Sequence, residues 1–165
     1  MGTVRGTSLK LIFESRTYAS HLWSLPLDLN SGKVRGAMQL LPHAGGRQGM
    51  PSSSSEGRRL VYLQSGPNST ELRLRDMSSG KEKALLRTEY ARPKISPDGA
   101  KIAYSTGRGS LFLMDSSGGA ATKLLDSGTR SSIYGWSSDG NGLSIGTALR
   151  SIFRCSSWRH ASHGS

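Results

Sequence analysis

Apolar and polar residues alternate along this chain in short bursts, and the bursts come in sets. In Glu71-Leu-Arg-Leu-Arg-Asp76 a leucine stands at every second position, the period of a strand with one buried face. Ser110-Leu-Phe-Leu-Met-Asp115 and His21-Leu-Trp-Ser-Leu-Pro-Leu-Asp28 hold the same place in their own sets. A short turn follows each, at 29–32, 77–80 and 116–119, and then a brief apolar stretch at 38–41, 83–86 and 122–125. Two strands joined by a glycine-containing turn make a hairpin. The pattern predicts strands near 9–15, 21–27, 60–64, 70–76, 101–105, 110–115 and 122–125, with no helix across 60–76 or 101–115.

The sets repeat at nearly constant spacing. Gly57, Gly99 and Gly140 stand 42 and 41 residues apart, each just after an acidic residue: Glu56, Asp98 and Asp139. Three residues on, an apolar strand opens at Leu60, Ile102 and Leu143. The acidic-Gly pair has a local reason. A carboxylate accepts N–H bonds from its own turn, and glycine takes positive φ without a Cβ clash. Pro97 fixes φ at the entry to the middle turn. Glu56, Gly57, Pro97, Asp98, Gly99, Asp139 and Gly140 are therefore expected to be structural turn residues. A catalytic carboxylate does not need one copy in every repeat. A unit of about 40 residues with three or four short strands is the mark of a β-propeller blade. The expected fold class is all-β, a partial β-propeller of antiparallel three- to four-stranded blades.

The residues from Ile95 to Leu125, with S-P-D-G-A-K-I-A-Y-S, then S-L-F-L-M-D-S-S-G-G, then T-K-L-L, resemble the TolB-type, WD40-like propeller repeat. Its usual form is W-S-P-D-G-K-x-I-A-F followed by I-Y-V-M-D-x-D-G-G. The resemblance implies an incomplete TolB-like propeller over residues 1–145, with blades at about 9–45, 50–90 and 91–130 and the start of another at 131–145. Ser55-Glu56 stands where Pro-Asp is usual, and Ser138 where Pro is usual. Residues 146–165 form a basic Ser/Arg/His tail without blade pattern, read as a truncated or frame-shifted end. Leu22–Asp28 and Ser79–Leu85 are similar to the C-terminal propellers of multidomain bacterial sensor proteins. The resemblance thus implies a fragment of a larger protein, a protein partner (other blades or a binding protein) and a periplasmic setting. The first ten residues have no signal-peptide run, so a genuine start at Met1 would leave the chain in the cytoplasm.

Composition fits the picture. The 165 residues are 35% hydrophobic with 21 glycines, which suits short strands and turns rather than a helical bundle. No apolar run is long enough for a membrane-spanning helix. The net charge of +11 raises nucleic-acid binding, but the basic residues are scattered singly and Arg58-Arg59 is their one adjacent pair. Nucleic acid is therefore not the expected partner. Cys155 is alone, and His160 and His163 near it are too few for a four-ligand zinc site. His21 and His43 join no nucleophile, and there is no G-x-x-x-x-G-K-[ST] phosphate loop. Catalytic, cofactor and metal sites are all expected to be absent. Trp23 and Trp136 are expected to pack between blades, while Trp158 lies in the tail. The reading is a non-catalytic protein-interaction or scaffold module. Its alternative is an accessory or sensor propeller of a peptidase or Ser/Thr kinase polypeptide whose catalytic domain lies elsewhere.

Overall fold

The computed structural model describes residues 20–28, 30–42, 45–126, 128–147 and 156–157. The strand expected at 9–15 lies outside them, as do His43, Cys155, Trp158, His160 and His163. The described part opens with four two-residue strands: β1 (Trp23–Ser24), β2 (Leu27–Asp28), β3 (Lys33–Val34) and β4 (Gln39–Leu40). They form one interrupted hairpin, with β1 pairing β4 and β2 pairing β3. The continuous strand expected at 21–27 is broken at Leu25-Pro26. Proline has no N–H to give the ladder, and only its carbonyl is used, accepting from Arg35 N at 2.9 Å.

Two four-stranded antiparallel meanders follow. Sheet I comprises β5 (Arg47–Ser53), β6 (Arg59–Ser65), β7 (Thr70–Asp76) and β8 (Glu82–Arg87), in that order. Sheet II comprises β9 (Ala91–Ile95), β10 (Lys101–Thr106), β11 (Ser110–Asp115) and β12 (Thr122–Asp126). Sheet III has β13 (Ser131–Trp136), β14 (Leu143–Thr147) and the two-residue β15 (Ser156–Ser157) paired to β14. The internal repeat extends to register. Leu72 lies opposite Leu86 just before a bulge in sheet I, and Leu111 opposite Leu125 just before a bulge in sheet II.

The sequence pattern does not announce the first strand of each sheet. β5 carries Gly49 and Pro51, β9 carries Pro93, and β13 carries Gly135. Among the described residues each of these strands has a neighbouring strand on one side only, and proline is tolerated on such an edge. Irregularity sits in the same strands. Register shifts between Gly49 and Ser52 and between Ile133 and Gly135, and Met50 adopts a φ of 53°.

The sheets stack face to face. Val61, Leu63 and Leu72 of sheet I form one core with Ile95, Ile102, Tyr104 and Met114 of sheet II. The rings of Tyr104 and Phe112 stack there with centroids 5.2 Å apart. The opposite face of sheet II gives Ala103 and Leu111 to a second core with Ile133 and Ile145 of sheet III. Sheet II is covered on both faces, and the consecutive residues from Ile102 to Ser105 of β10 are all buried. The other face of sheet I is ionic. Arg73 donates to Glu71 at 2.9 Å and Arg75 to Glu82 at 2.6 Å, with all four side chains mostly covered. Arg75 also donates to the Pro42 carbonyl at 2.7 Å, tying the end of the hairpin to sheet I. Burial, together with the nearby Glu82 carboxylate, pushes the Tyr62 phenol up to about 12.

Candidate functional site

Three surfaces could carry function: the row of turns between the first two strands of each sheet, a polar depression beside them, and an apolar cleft between sheets II and III. In the turns, one hydroxyl does the tying. Ser96 Oγ donates to Asp98 Oδ1 at 2.5 Å and accepts from Lys101 N at 2.9 Å. Ser137 Oγ repeats this with Asp139 Oδ1 at 2.5 Å and Gly142 N at 2.8 Å. Ser54 Oγ accepts from Arg59 N at 3.2 Å. Gly57, Gly99 and Gly140 all take positive φ, from 66° to 77°, and donate N–H to the carbonyls of those same serines. Sequence reasoning named the acid and the glycine but not the serine. Its signal was present, as S-x-[DE]-G in every copy.

The remaining turn residues have different partners. Glu56 pairs with Arg58 at 2.9 Å in solvent. The Pro97 carbonyl accepts from Ser55 N at 2.9 Å, joining the turns of sheets I and II. Arg59 fastens the same junction, donating to Gly99 O at 2.9 Å and Ser116 Oγ at 2.6 Å.

Beside these turns lies an open depression of about 580 Å³, lined by Ser54, Glu56, Arg59, Asp76 and Asp98 among others. Two of its carboxylates are already committed within their own turns. The Ser96 hydroxyl and then the Ala100 N–H hold Asp98 below the usual carboxylate range. Asp76 accepts four hydrogen bonds from the N–H and hydroxyl groups of Ser78 and Ser79, at 2.8–3.0 Å, and is pushed down to about 2. The Ser137 hydroxyl and the Asn141 N–H lower Asp139 in the same way. Carboxylates so depressed stay ionised near neutrality and hold no proton to donate as general acids.

Two predictions follow from these turns. Replacing Asp98 by Ala leaves the Ser96 hydroxyl and Ala100 N–H without their acceptor, and the melting temperature should fall by about 2–4 °C. An unchanged melt would mean that the carboxylate contributes nothing to the turn. The second prediction concerns pH. A carboxylate with a lowered folded pKa stabilises the fold above its unfolded pKa, and the gain is lost as pH falls through the folded value. For Asp76 that window runs from about 4 down to about 2. Melting curves of wild type and Asp76→Asn should therefore differ most at pH 5 and above, and converge near pH 2. A constant gap across the range would reject the linkage.

One motif that sequence reasoning passed over is present in letters. Gly142-Leu-Ser-Ile-Gly146 matches G-x-S-x-G. The geometry does not suit a nucleophile, which must sit on a sharp strand-to-helix turn. Strand β14 runs through the motif from Leu143 to Thr147, and Ser144 Oγ donates to Gly135 O at 3.2 Å. The two described tryptophans part company. Trp136 bridges sheets II and III, its indole N–H donating to Lys94 O at 2.9 Å. Trp23 does not pack as expected. It is 51% exposed, and among the described residues its two-stranded ladder meets no opposing sheet.

The cleft between sheets II and III has a volume of about 330 Å³. Leu113, Leu124 and Leu125 form one wall, and Trp136, Leu143 and Ile145 the other. Lys101 stands among the lining residues and pairs with Asp115 at 2.8 Å.

Stacked four-stranded antiparallel meanders joined in sequence, their first strands side by side, define a partial β-propeller. Solved β-propeller structures, TolB among them, share this fold. TolB from Acinetobacter baumannii matches with a TM-score of 0.66 at 12% identity, over 86% of this chain and 36% of that one. A chain of the nidogen/laminin complex matches with a TM-score of 0.66 at 11% identity, over 86% and 55%. The β-propeller domain of the Trilobed protease from Pyrococcus furiosus matches with a TM-score of 0.53 at 13% identity, over 87% and 56%. The chain thus spans between about a third and just over half the length of these structures. No protein-family model and no curated protein sequence matches it.

Proposed function

We propose that the chain is a non-catalytic protein-interaction or scaffold module built on a segment of a TolB-like propeller. The observation that carries this is the apolar surface left open on a stacked-sheet scaffold. Trp23, Met38, Leu124 and Tyr134 are each more than 40% exposed, and the cleft between sheets II and III is apolar on both walls. Exposed apolar surface of this kind marks interaction sites. The match to a chain of the nidogen/laminin complex, itself a protein–protein assembly, supports the same reading. The positive charge does not redirect it towards nucleic acid, since Arg59, Arg73 and Arg75 spend their guanidinium groups on intramolecular acceptors.

A second reading is an accessory propeller of a peptidase or Ser/Thr kinase polypeptide, its catalytic domain outside this chain. The likeness to the Trilobed protease propeller domain favours it. In either case the resemblance to TolB suggests a periplasmic setting, which cell fractionation would test. The function itself is tested by selecting displayed random peptides against the immobilised full chain, alongside a panel of peptide, ester and glycoside substrates. Convergence on a peptide motif with no turnover is expected. Turnover abolished by a point substitution, or selection without convergence, would reject the reading.

A further inference from the structure

The turn of sheet III differs from its counterparts in one way that bears on chemistry. The pair of residues after the glycine of each S-x-[DE]-G unit is Arg58-Arg59 in sheet I, Ala100-Lys101 in sheet II and Asn141-Gly142 in sheet III. An asparagine followed by glycine sets an electrophile and a nucleophile within ring-closing reach. The electrophile is the carboxamide carbon Cγ, and the nucleophile is the next backbone nitrogen. Glycine has no side chain to shield that nitrogen or to restrict the backbone around it. The chain's other asparagines, Asn30 and Asn68, both precede serine.

The folded turn holds both reacting groups. Gly142 N–H donates to Ser137 Oγ at 2.8 Å, and Gly142 O accepts from Ser137 N at 2.9 Å. Asn141 N–H donates to Asp139 Oδ1 at 3.1 Å, and its carboxamide Nδ2 to Asp139 Oδ2 at 3.4 Å. Attack on Cγ requires the Gly142 nitrogen to leave Ser137 and give up its proton, and a hydrogen-bonded N–H is free to do neither. Asn141 is nevertheless exposed at the tip between β13 and β14, where water reaches it as soon as those bonds open. Such tips open at far lower cost than packed sheets.

We propose that Asn141 is a modification site at which the chain converts itself to aspartate and iso-aspartate, with water as the co-reactant, and that the Ser137 hydroxyl sets the rate. The Gly142 nitrogen forms a bond to Asn141 Cγ, the Cγ–Nδ2 bond breaks, and ammonia leaves with the proton that the Gly142 nitrogen gave up. Water then opens the resulting succinimide. Addition at Cγ breaks the new bond and yields aspartate. Addition at the main-chain carbonyl of residue 141 breaks the original peptide bond and yields iso-aspartate, the chain now running through Cβ and Cγ. No oxidation state changes. Either product places a carboxylate beside Asp139, where like charges repel. The iso-aspartyl product also lengthens the main chain between Gly140 and Gly142, whose bonds to Ser137 are spaced for the shorter path. The next residue, Leu143, pairs with Trp136 at the start of the β13–β14 ladder. The conversion is thus a slow, one-way loosening of the end of sheet III that Trp136 ties to Lys94 O.

The test is incubation of the full chain in mildly alkaline buffer, followed by peptide mapping with fragmentation that separates iso-aspartyl from aspartyl products. Residue 141 should convert severalfold faster than Asn30 or Asn68. Ser137→Ala should speed conversion by roughly three- to tenfold, the factor that one hydrogen bond is worth. Ser137→Thr keeps the hydroxyl and should hold the wild-type rate. Chain unfolded in urea should convert faster than the native chain. Ile102→Ala separates local opening from global unfolding: it weakens the fold far from this turn and, at a temperature where circular dichroism shows both variants folded, should leave the rate near wild type. Conversion at residue 141 no faster than at the other asparagines would overturn the proposal. So would equal rates in native and unfolded chain, a Ser137→Ala rate equal to wild type, or equal acceleration by Ser137→Ala and Ile102→Ala.

Discussion

Replacing Gly109 by alanine is expected to abolish cooperative folding or to lower the melting temperature more than any other single surface-turn substitution. Gly109 closes the turn between β10 and β11, its N–H donating to Thr106 O at 3.0 Å, with φ at +86°. A side chain at that φ costs about 1–3 kcal/mol by itself. The space is also closed. A methyl group there would collide with the carbonyl oxygen of Thr129 and stand 2.9 Å from Ser131 N. Both are backbone atoms of the segment leading into β13, so relief requires sheet III to move against sheet II. Displacing packed backbone adds a further cost of about 1–3 kcal/mol. Far-ultraviolet circular dichroism through a thermal melt would show it. Gly119→Ala is the comparison, because its φ is also positive, at 111°, but nothing lies within 4 Å of the added carbon. Equal melting of the two variants would show that close approach of the sheets at Gly109 does not hold them together.

Gly109 also shows where the sequence was legible and where it was not. The recurrence of Gly57, Gly99 and Gly140 exposed the repeat, because those turns are local and need the same residues each time. The middle strands β7 and β11 were legible for the same reason: alternation is a property of consecutive residues. The contact between Gly109 and Thr129 is between sheets, and neither residue recurs with the period. The first strands β5, β9 and β13 were hidden because an edge strand tolerates Pro51, Pro93 and Gly135, residues that normally argue against a strand. Pairing partners across sheets were hidden as well. Nothing in the letters says that Arg59 reaches Gly99 and Ser116. The cleft was the least legible feature. Its lining is ordinary strand sequence, brought together only where sheets II and III stack.

The second large effect is expected at Ile102. This residue is fully buried on β10, where sheet II meets sheet I, in one cluster with Leu72, Ile95 and Met114. Ile102→Ala removes three carbon atoms from a surface shared by two sheets, and substitutions of this kind cost about 2–5 kcal/mol. For a chain of this length the melting temperature should then fall by about 5–15 °C. The cost reaches beyond the site, since units in a repeat array draw their stability from the interfaces with their neighbours. Weakening the contact between sheets I and II should loosen the junction that Arg59 and the Pro97 carbonyl fasten, and hydrogen exchange at Ser55 and Gly99 should speed up along with that in β10. Leu124→Ala is the internal control. At 41% exposed on an outer strand, it should shift stability by no more than about 0.5 kcal/mol. If Ile102→Ala and Leu124→Ala melted alike, the stacked apolar faces would not be what holds the sheets together. The hydrogen-bonded turns and the ionic face of sheet I would then have to carry that role.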